Sequence, residues 1–218
     1  SETALAPRRR AYDDGMKILL TGATGYIGSS VLDVLRAHGH DVVAPVRSAH
    51  AAQKATATGA TAVVGDITDA DTLFEPGTFD NVILSSVLHE VWSYAPDDRD
   101  AARDAAVAVA ARMLRPGGRL IVRDGVGPHD PSTRCRVDFL LQDGPAFFER
   151  WLALPEWPQG RDAGVRLADG HIEADARWAT EFLLTYVWGW DSLPREGLEF
   201  YTVAGPLTAT QVWPAGSP

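Results

Sequence analysis

Glycines 22, 25 and 28 follow the short apolar run in MKILLTGATGYIG, and their spacing is that of a turn built to receive phosphate. In such a turn Gly22 permits the tight bend and Gly25 lets the backbone approach a pyrophosphate. Gly28 lets helix and strand pack closely, and the helix start offers free N–H groups and a positive dipole. A second set of reactive side chains lies further on. Ser85 and Ser86 close another apolar run, His89 and Glu90 follow on the next turn, and Tyr94 stands just beyond. An imidazole can act as general base and a carboxylate can orient a substrate, while the same serines equally suit turn caps. Asp124, His129 and Asp130 form a third group, in a stretch where aspartates more often serve turns than chemistry.

The elements that must position these residues alternate regularly. Strands are expected at Lys17–Thr21, Asp41–Val46, Thr61–Val64, Asp80–Ser85 and Arg119–Arg123. Helices are expected at Tyr26–His38, in an Ala-rich stretch ending at Gly59, near Asp69, and over Arg99–Leu114. This order predicts an α/β fold with crossover units and a mostly parallel, doubly wound sheet. It places Ser85 and Ser86 at the carboxyl edge of strand four, where ligands bind in such sheets. Beyond that the pattern predicts helices over Val137–Leu154 and Ala174–Trp188. A C-terminal antiparallel hairpin is expected from Glu199–Ala204 and Leu207–Val212, around Gly205-Pro206.

Composition narrows the function. With 218 residues and 45% apolar content, the chain suits a single domain over 16–218 with a full core, after a leader or linker at 1–15. A net charge of −9, with Lys17 and Lys54 the only lysines, disfavours nucleic acid and anionic membranes as partners, and the Arg8-Arg9-Arg10 run reads as a solvated tail. No run of about 18 apolar residues would span a membrane. Cys135 is the only cysteine, so neither an intramolecular disulfide nor a Cys-built zinc site is available, and no histidine spacing suits a metal; a reducing cytoplasm is the expected setting. All seven tryptophans lie at or beyond Trp92. The segment from Trp151 to Trp190 could form an apolar lid over an apolar or aromatic small molecule, cover one sheet face, or make a homodimer interface. Cys135 has no sequence signal pairing it with His129 as a nucleophile.

Two resemblances divide the chain near residue 78. From Met16 to about Leu73 it resembles the extended and atypical short-chain dehydrogenase/reductases, the epimerase-like and NmrA-like groups, carried by LLTGATGYIGSSVLDVLRAHGHDVVAPVRS and VVGDITD. That resemblance implies a Rossmann-like fold and a dinucleotide site made by Gly22, Thr24, Gly25, Tyr26, Ile27, Gly28, Arg47, Asp66 and Ile67. Arg47, at the end of strand two, implies NADP, because a guanidinium pairs with the ribose 2′-phosphate that an acidic residue would repel. Asp66 matches the position that hydrogen-bonds adenine. From about Phe79 onward the chain is similar to the latter half of class I S-adenosylmethionine-dependent methyltransferases, carried by FDNVILSSVLHEV and LRPGGRLIVRDGV. The dinucleotide-binding half is therefore 16–78 and the methyltransferase-like substrate half 79–218.

The catalytic signatures of both families are incomplete. No tyrosine has a lysine four residues later, so the Tyr-x-x-x-Lys pair of short-chain dehydrogenases is missing, and Tyr94 meets Asp98 instead. The acidic residues that methyltransferases place before the glycine loop and after strand two are replaced by Thr21 and Arg47. Weighing the cofactor residues, the sequence predicts a cytoplasmic, NADP(H)-binding oxidoreductase with Ser85, Ser86, His89 and Tyr94 around the reactive ring. S-adenosylmethionine-dependent methyl transfer is the alternative. A nonenzymatic nucleotide sensor, or a repurposed fold catalysing a non-redox cyclisation or isomerisation, is the third reading.

Overall fold

The computed structural model describes residues 15–154 and 165–203. They group into two compact units: one holds residues up to Ser85 together with Val109–Val122, the other Ser86–Ala108 together with residues from Arg123 on.

The first unit is a layered α/β body. Strands β1 (Lys17–Leu20), β2 (Asp41–Val46), β3 (Thr61–Val64), β4 (Phe79–Ser85) and β5 (Leu114–Arg123), the five strands of the α/β fold that the sequence pattern predicts, form one sheet in the order β3-β2-β1-β4-β5. The pairs β1/β2, β1/β4 and β2/β3 are parallel. Helices α1 (Tyr26–Ala37), α2 (Ala49–Ala57) and the short α3 (Ala70–Leu73) supply the crossovers. Such strands are buried on both faces, which is why KILL and VVAPV read as continuous apolar runs. Pro45 is tolerated inside β2 because it lies past Val43, the last residue in register with β1. At the entry edge the Lys17 N–H donates to Asp80 Oδ2 at 2.8 Å, and Arg115 pairs with the same carboxylate at 3.0 Å. Ile18, Leu20, Leu32, Val42 and Ile83 belong to the core between sheet and helices.

The second unit is built on aromatics. It contains α4 (Leu88–Tyr94), most of α5 (Arg99–Arg112), β6 (Arg134–Asp138), α6 (Gly144–Leu152), β7 (Arg166–Ala168), β8 (His171–Asp175), α7 (Ala176–Tyr186) and α8 (Leu193–Glu196), then a 3₁₀ turn at Tyr201–Val203. Strands β6, β8 and β7 form a three-stranded antiparallel sheet with β8 in the centre. The β7–β8 hairpin closes on Asp169-Gly170 with φ of 47° and 79°, the left-handed pair that a two-residue primed turn requires. Phe182 is the hub of the core. Its ring lies edge-on to Phe148 at 5.3 Å and to Trp151 at 5.5 Å, and stacks on Tyr186 at 5.5 Å.

Three expectations are corrected here. Val137 lies in β6 rather than in a helix, because residues 134–138 alternate exposed and half-buried with period two; α6 starts only at Gly144, with Pro145 in its first turn. Residues up to Asp175 belong to β8, so the next helix begins at Ala176. The stretch from Glu199 turns instead of extending. Its N–H groups are taken by side chains: Phe200 N donates to Ser93 Oγ at 2.8 Å, and Tyr201 N and Thr202 N donate to Glu181, each at 2.8 Å. No strand partner is needed for groups already satisfied. The antiparallel pairing of the C-terminal part is thus the β6-β8-β7 sheet, and Leu207–Val212 lies outside the described residues. In addition, β5 starts at Leu114 and takes in Pro116-Gly117-Gly118, where a helix end and a turn are expected.

Because the described tryptophans, Trp92, Trp151, Trp178, Trp188 and Trp190, all lie in the second unit, their fluorescence reports it. Phe182→Ala should lower its unfolding free energy by about 3–5 kcal/mol, the cost of emptying a fully packed aromatic site. Urea unfolding followed by fluorescence measures this, and a loss below about 1 kcal/mol would show that Phe182 is not the hub.

Candidate functional site

In the first unit the residues at the carboxyl edge fall in spatial order. Asp66 follows β3, Arg47 follows β2, the glycine turn follows β1, and Ser85 ends β4. The order reverses between β1 and β4, which makes the crevice where doubly wound sheets bind ligands. Gly22 has φ of 65°, and a Cβ there would lie 2.5 Å from the Ser85 carbonyl oxygen. A Cβ on Gly28 would come within 1.9 Å of the Gly22 carbonyl oxygen. No side chain can occupy either place without moving backbone. Gly25 is the extended N-cap of α1, and no side chain caps this helix. The N–H groups at its start are therefore presented at the mouth of the turn.

Around the turn, Thr21 is buried; its hydroxyl accepts from Ser85 N at 3.0 Å and donates to the Ile83 carbonyl at 3.3 Å. Tyr26 projects outward, 87% exposed, while Ile67 is buried. Thr24 and Ile27 are half-buried, and Arg47 is exposed. Asp66 Oδ1 accepts from both N and Oγ1 of Thr68, each at 3.0 Å, and so caps the 3₁₀ turn at Ile67–Asp69. Lys54 of α2 was not singled out in the sequence, yet its Nζ donates to the Thr24 carbonyl at 2.9 Å. It brings a second cation to the edge that carries Arg47.

The second unit holds a polar cluster on α4. Asp124 is its centre. Oδ2 accepts from the N–H groups of Val87, Leu88 and His89 at 3.1, 2.8 and 3.3 Å, so a carboxylate distant in sequence caps the helix. Oδ1 accepts from Gly125 N at 2.9 Å and from His89 Nδ1 at 2.6 Å. On the other side of the ring, His89 Nε2 lies 3.4 Å from Glu199 Oε2. The Tyr94 hydroxyl donates to Glu199 Oε1 at 3.0 Å. The Tyr201 ring lies over the imidazole with centroids 4.9 Å apart.

Burial alone would depress the His89 pKa, but the hydrogen bonds to Asp124 and Glu199 and their charges prevail and push it up to about 10. Asp124 is pulled the other way: burial opposes ionisation, yet the imidazolium bond and backbone donors hold it below the usual carboxylate range. Glu199 is lowered likewise, against its burial, by His89 and Tyr94. Tyr94 is raised to about 12 by burial and then by the Glu199 charge. His89 is thus an imidazolium between two carboxylates at neutral pH.

Of the residues the sequence proposes for chemistry, His89 and Tyr94 meet through Glu199. Ser85 is buried in the first unit. Ser86 takes φ of 51°, its N–H donates to the Arg123 carbonyl at 2.8 Å, and its hydroxyl accepts from the Arg123 guanidinium. His129 is exposed, and Asp130 caps its own turn through Ser132, so neither joins His89. Cys135 is half-buried in β6. Trp151 and Trp178 are core residues, whereas Trp188 and Trp190 are exposed. Among the described residues no group of His, Cys, Asp or Glu is arranged to hold a metal, and no helix is long and apolar enough to cross a membrane.

Against this geometry, residues 14–93 match the NmrA-like family. An uncharacterized protein of Schizosaccharomyces pombe is 40% identical over 80 residues, 36% of this chain and 27% of that protein. A ketoreductase of Stigmatella aurantiaca, named for 4-hydroxy-2-methyl-3-oxo-4-farnesyl-3,4-dihydroquinoline-1-oxide, is 43% identical over 60 residues, 28% of this chain and 18% of its own. These matches span about a quarter or less of the relatives' length. Among solved structures, a TehB-like S-adenosylmethionine-dependent methyltransferase from Corynebacterium glutamicum is 25% identical with a TM-score of 0.37, covering 53% of this chain and 56% of that one. A short-chain dehydrogenase from Streptomyces avermitilis is 20% identical with a TM-score of 0.36, covering 50% and 48%.

The charge state of His89 has a thermodynamic signature. Its folded pKa of about 10 stands above the ordinary 6.5, so the native state keeps a proton that the unfolded chain has released, and stability falls as pH rises between those values. The slope should approach about 1.4 kcal/mol per pH unit between about pH 7 and pH 9. Fluorescence-monitored urea unfolding across that range should show it, and His89→Gln should flatten it. An unaltered slope in the variant would assign the proton elsewhere.

Proposed function

We propose that the protein binds NADP(H) through its first unit and carries out oxidoreduction of an apolar or aromatic small molecule in the cytoplasm. The reading rests above all on the turn at Gly22–Gly28, closed to side chains at two positions and opening on an uncapped helix start. A pyrophosphate suits that cradle, because backbone N–H groups and the helix dipole meet its charge. Arg47, with Lys54 leaning over the turn, would pair with a 2′-phosphate, and Asp66, through the carboxylate oxygen Thr68 does not use, would face adenine. The similarity of residues 14–93 to the NmrA-like family supports the same assignment. The bound dinucleotide would supply the hydride donor or acceptor; within the second unit, His89 and Tyr94 are the side chains whose protons are joined by hydrogen bonds.

Methyl transfer is the second reading, favoured by the Leu88-His89-Glu90 turn, which Asp124 fixes immediately after β4. Calorimetric titration with NADPH, NADH and S-adenosylmethionine separates the two. NADPH should bind in preference to both others, and Arg47→Asp should weaken it at least about tenfold, roughly 1.4 kcal/mol, while changing NADH little. Selective binding of S-adenosylmethionine would replace the oxidoreductase assignment by the methyltransferase one.

A further inference from the structure

We infer that Glu199 is a positioning residue that joins the exposed phenol of Tyr94 to the buried imidazolium of His89, making Tyr94–Glu199–His89–Asp124 a proton relay. The four side chains form one continuous path. The Tyr94 hydroxyl donates to Oε1 of Glu199 at 3.0 Å, Oε2 of the same carboxylate lies 3.4 Å from His89 Nε2, and His89 Nδ1 donates to Asp124 at 2.6 Å. Its two ends differ in their access to water. Tyr94 is 52% exposed, whereas His89 is 6% exposed.

The inner part of the path is held from outside it. Asp124 is fixed by the backbone N–H groups of Val87, Leu88 and Gly125, besides the N–H and imidazole of His89. The backbone after Glu199 is pinned by Ser93 at Phe200 and by Glu181 at Tyr201 and Thr202. The other titratable groups nearby are already engaged or set to one side. Tyr201, stacked on the imidazole, donates its own hydroxyl to Glu196, and Glu196 also pairs with Arg195. The charges of Glu90 and Arg195 act on Tyr94 with opposite signs.

Proton flow through the path balances. The Tyr94 hydroxyl turns from Glu199 and gives its proton to a base in solvent or to a substrate carbonyl oxygen; His89 gives its Nε2 proton to Glu199 Oε2. Rotation of the carboxyl group then presents that proton to the phenolate, restoring Tyr94 and carboxylate Glu199. His89 is left neutral, its remaining proton on Nδ1 held by Asp124, and is recharged when the exposed Tyr94 takes a proton from water and the path runs in reverse. No heavy-atom bond changes, and one proton passes outward per cycle. The anionic neighbour keeps the phenol protonated, so Tyr94 acts as an acid. Its use in catalysis rests on the oxidoreductase reading above, where it would stand in for the missing Tyr-x-x-x-Lys pair and favour reduction of a carbonyl; the relay itself does not depend on that reading.

The test uses the full chain without cofactor. The exchange rate of the His89 Nε2 proton with water is measured by nitrogen-15 imidazole NMR in the wild type and in Tyr94→Phe, which keeps the exposed ring and removes only the hydroxyl. Exchange should slow at least about tenfold in Tyr94→Phe, with the unfolding midpoint unchanged. Adding Tyr94→Phe to Glu199→Gln should produce no further slowing. Unchanged exchange in Tyr94→Phe, or equal slowing by that substitution with and without Glu199, would overturn the relay. If NADPH fails to bind while the exchange result holds, the oxidoreductase assignment falls and the relay stands.

Discussion

Five hydrogen-bond donors converge on the Asp124 carboxylate, and much of the second unit depends on that convergence. A buried carboxylate is tolerated only when its oxygens are filled, and here three donors open α4, one comes from the loop after β5 and one is a charged imidazole. The imidazolium in turn needs a second anion, which Glu199 provides from the segment after α8. Removing the imidazolium would leave Asp124 and Glu199 without their shared countercharge, and an uncompensated buried charge is the arrangement that costs a fold most. Helix start, loop and C-terminal segment are therefore tied through one ring. Glu181 fastens the same segment from α7, its own pKa raised by burial to about 7 although three donors face it.

The first unit solves a different problem. Its glycine turn keeps backbone open at the carboxyl edge, and it does so by excluding side chains rather than by supplying them. The Gly22 carbonyl occupies the place of a Gly28 side chain, and the Ser85 carbonyl that of a Gly22 side chain. These close approaches let β1, α1 and the end of β4 meet around a turn whose open positions are N–H groups. Thr21 completes it by bonding across to β4 through both its donor and its acceptor. Arg47, Lys54 and Asp66, the side chains proposed above to give specificity, stand along the same edge.

The sheet was legible because its strands announce themselves as apolar runs separated by helical periods; four fall where the pattern puts them, and the fifth begins earlier, at Leu114. The glycine turn was legible for the same reason: few residue types can occupy it. The second unit was harder. Short antiparallel strands such as Arg134–Asp138 and His171–Asp175 are only five residues long and lie close before the aromatic helices α6 and α7, so a period of two has little room to show; Asp169-Gly170 is the sequence signal that marks the hairpin. Glu199 could not be found from spacing, since it lies 105 residues from Tyr94 and its role arises only when the chain folds back. Lys54 was hidden similarly, on a helix whose charged residues look merely solvated.

Lys54 also gives the molecule an unusual chemical economy. The chain has only two lysines, and the other, Lys17, holds its ammonium 5.4 Å from the centre of the Phe79 ring. Lys54 is exposed and rests on the carbonyl of Thr24, inside the glycine turn. Acylating reagents that seek side-chain amines therefore meet a protein with almost no background, in which one of two targets touches the loop. A single covalent mark at Lys54 would read out whatever fills that turn, with the ligand acting as its own shield.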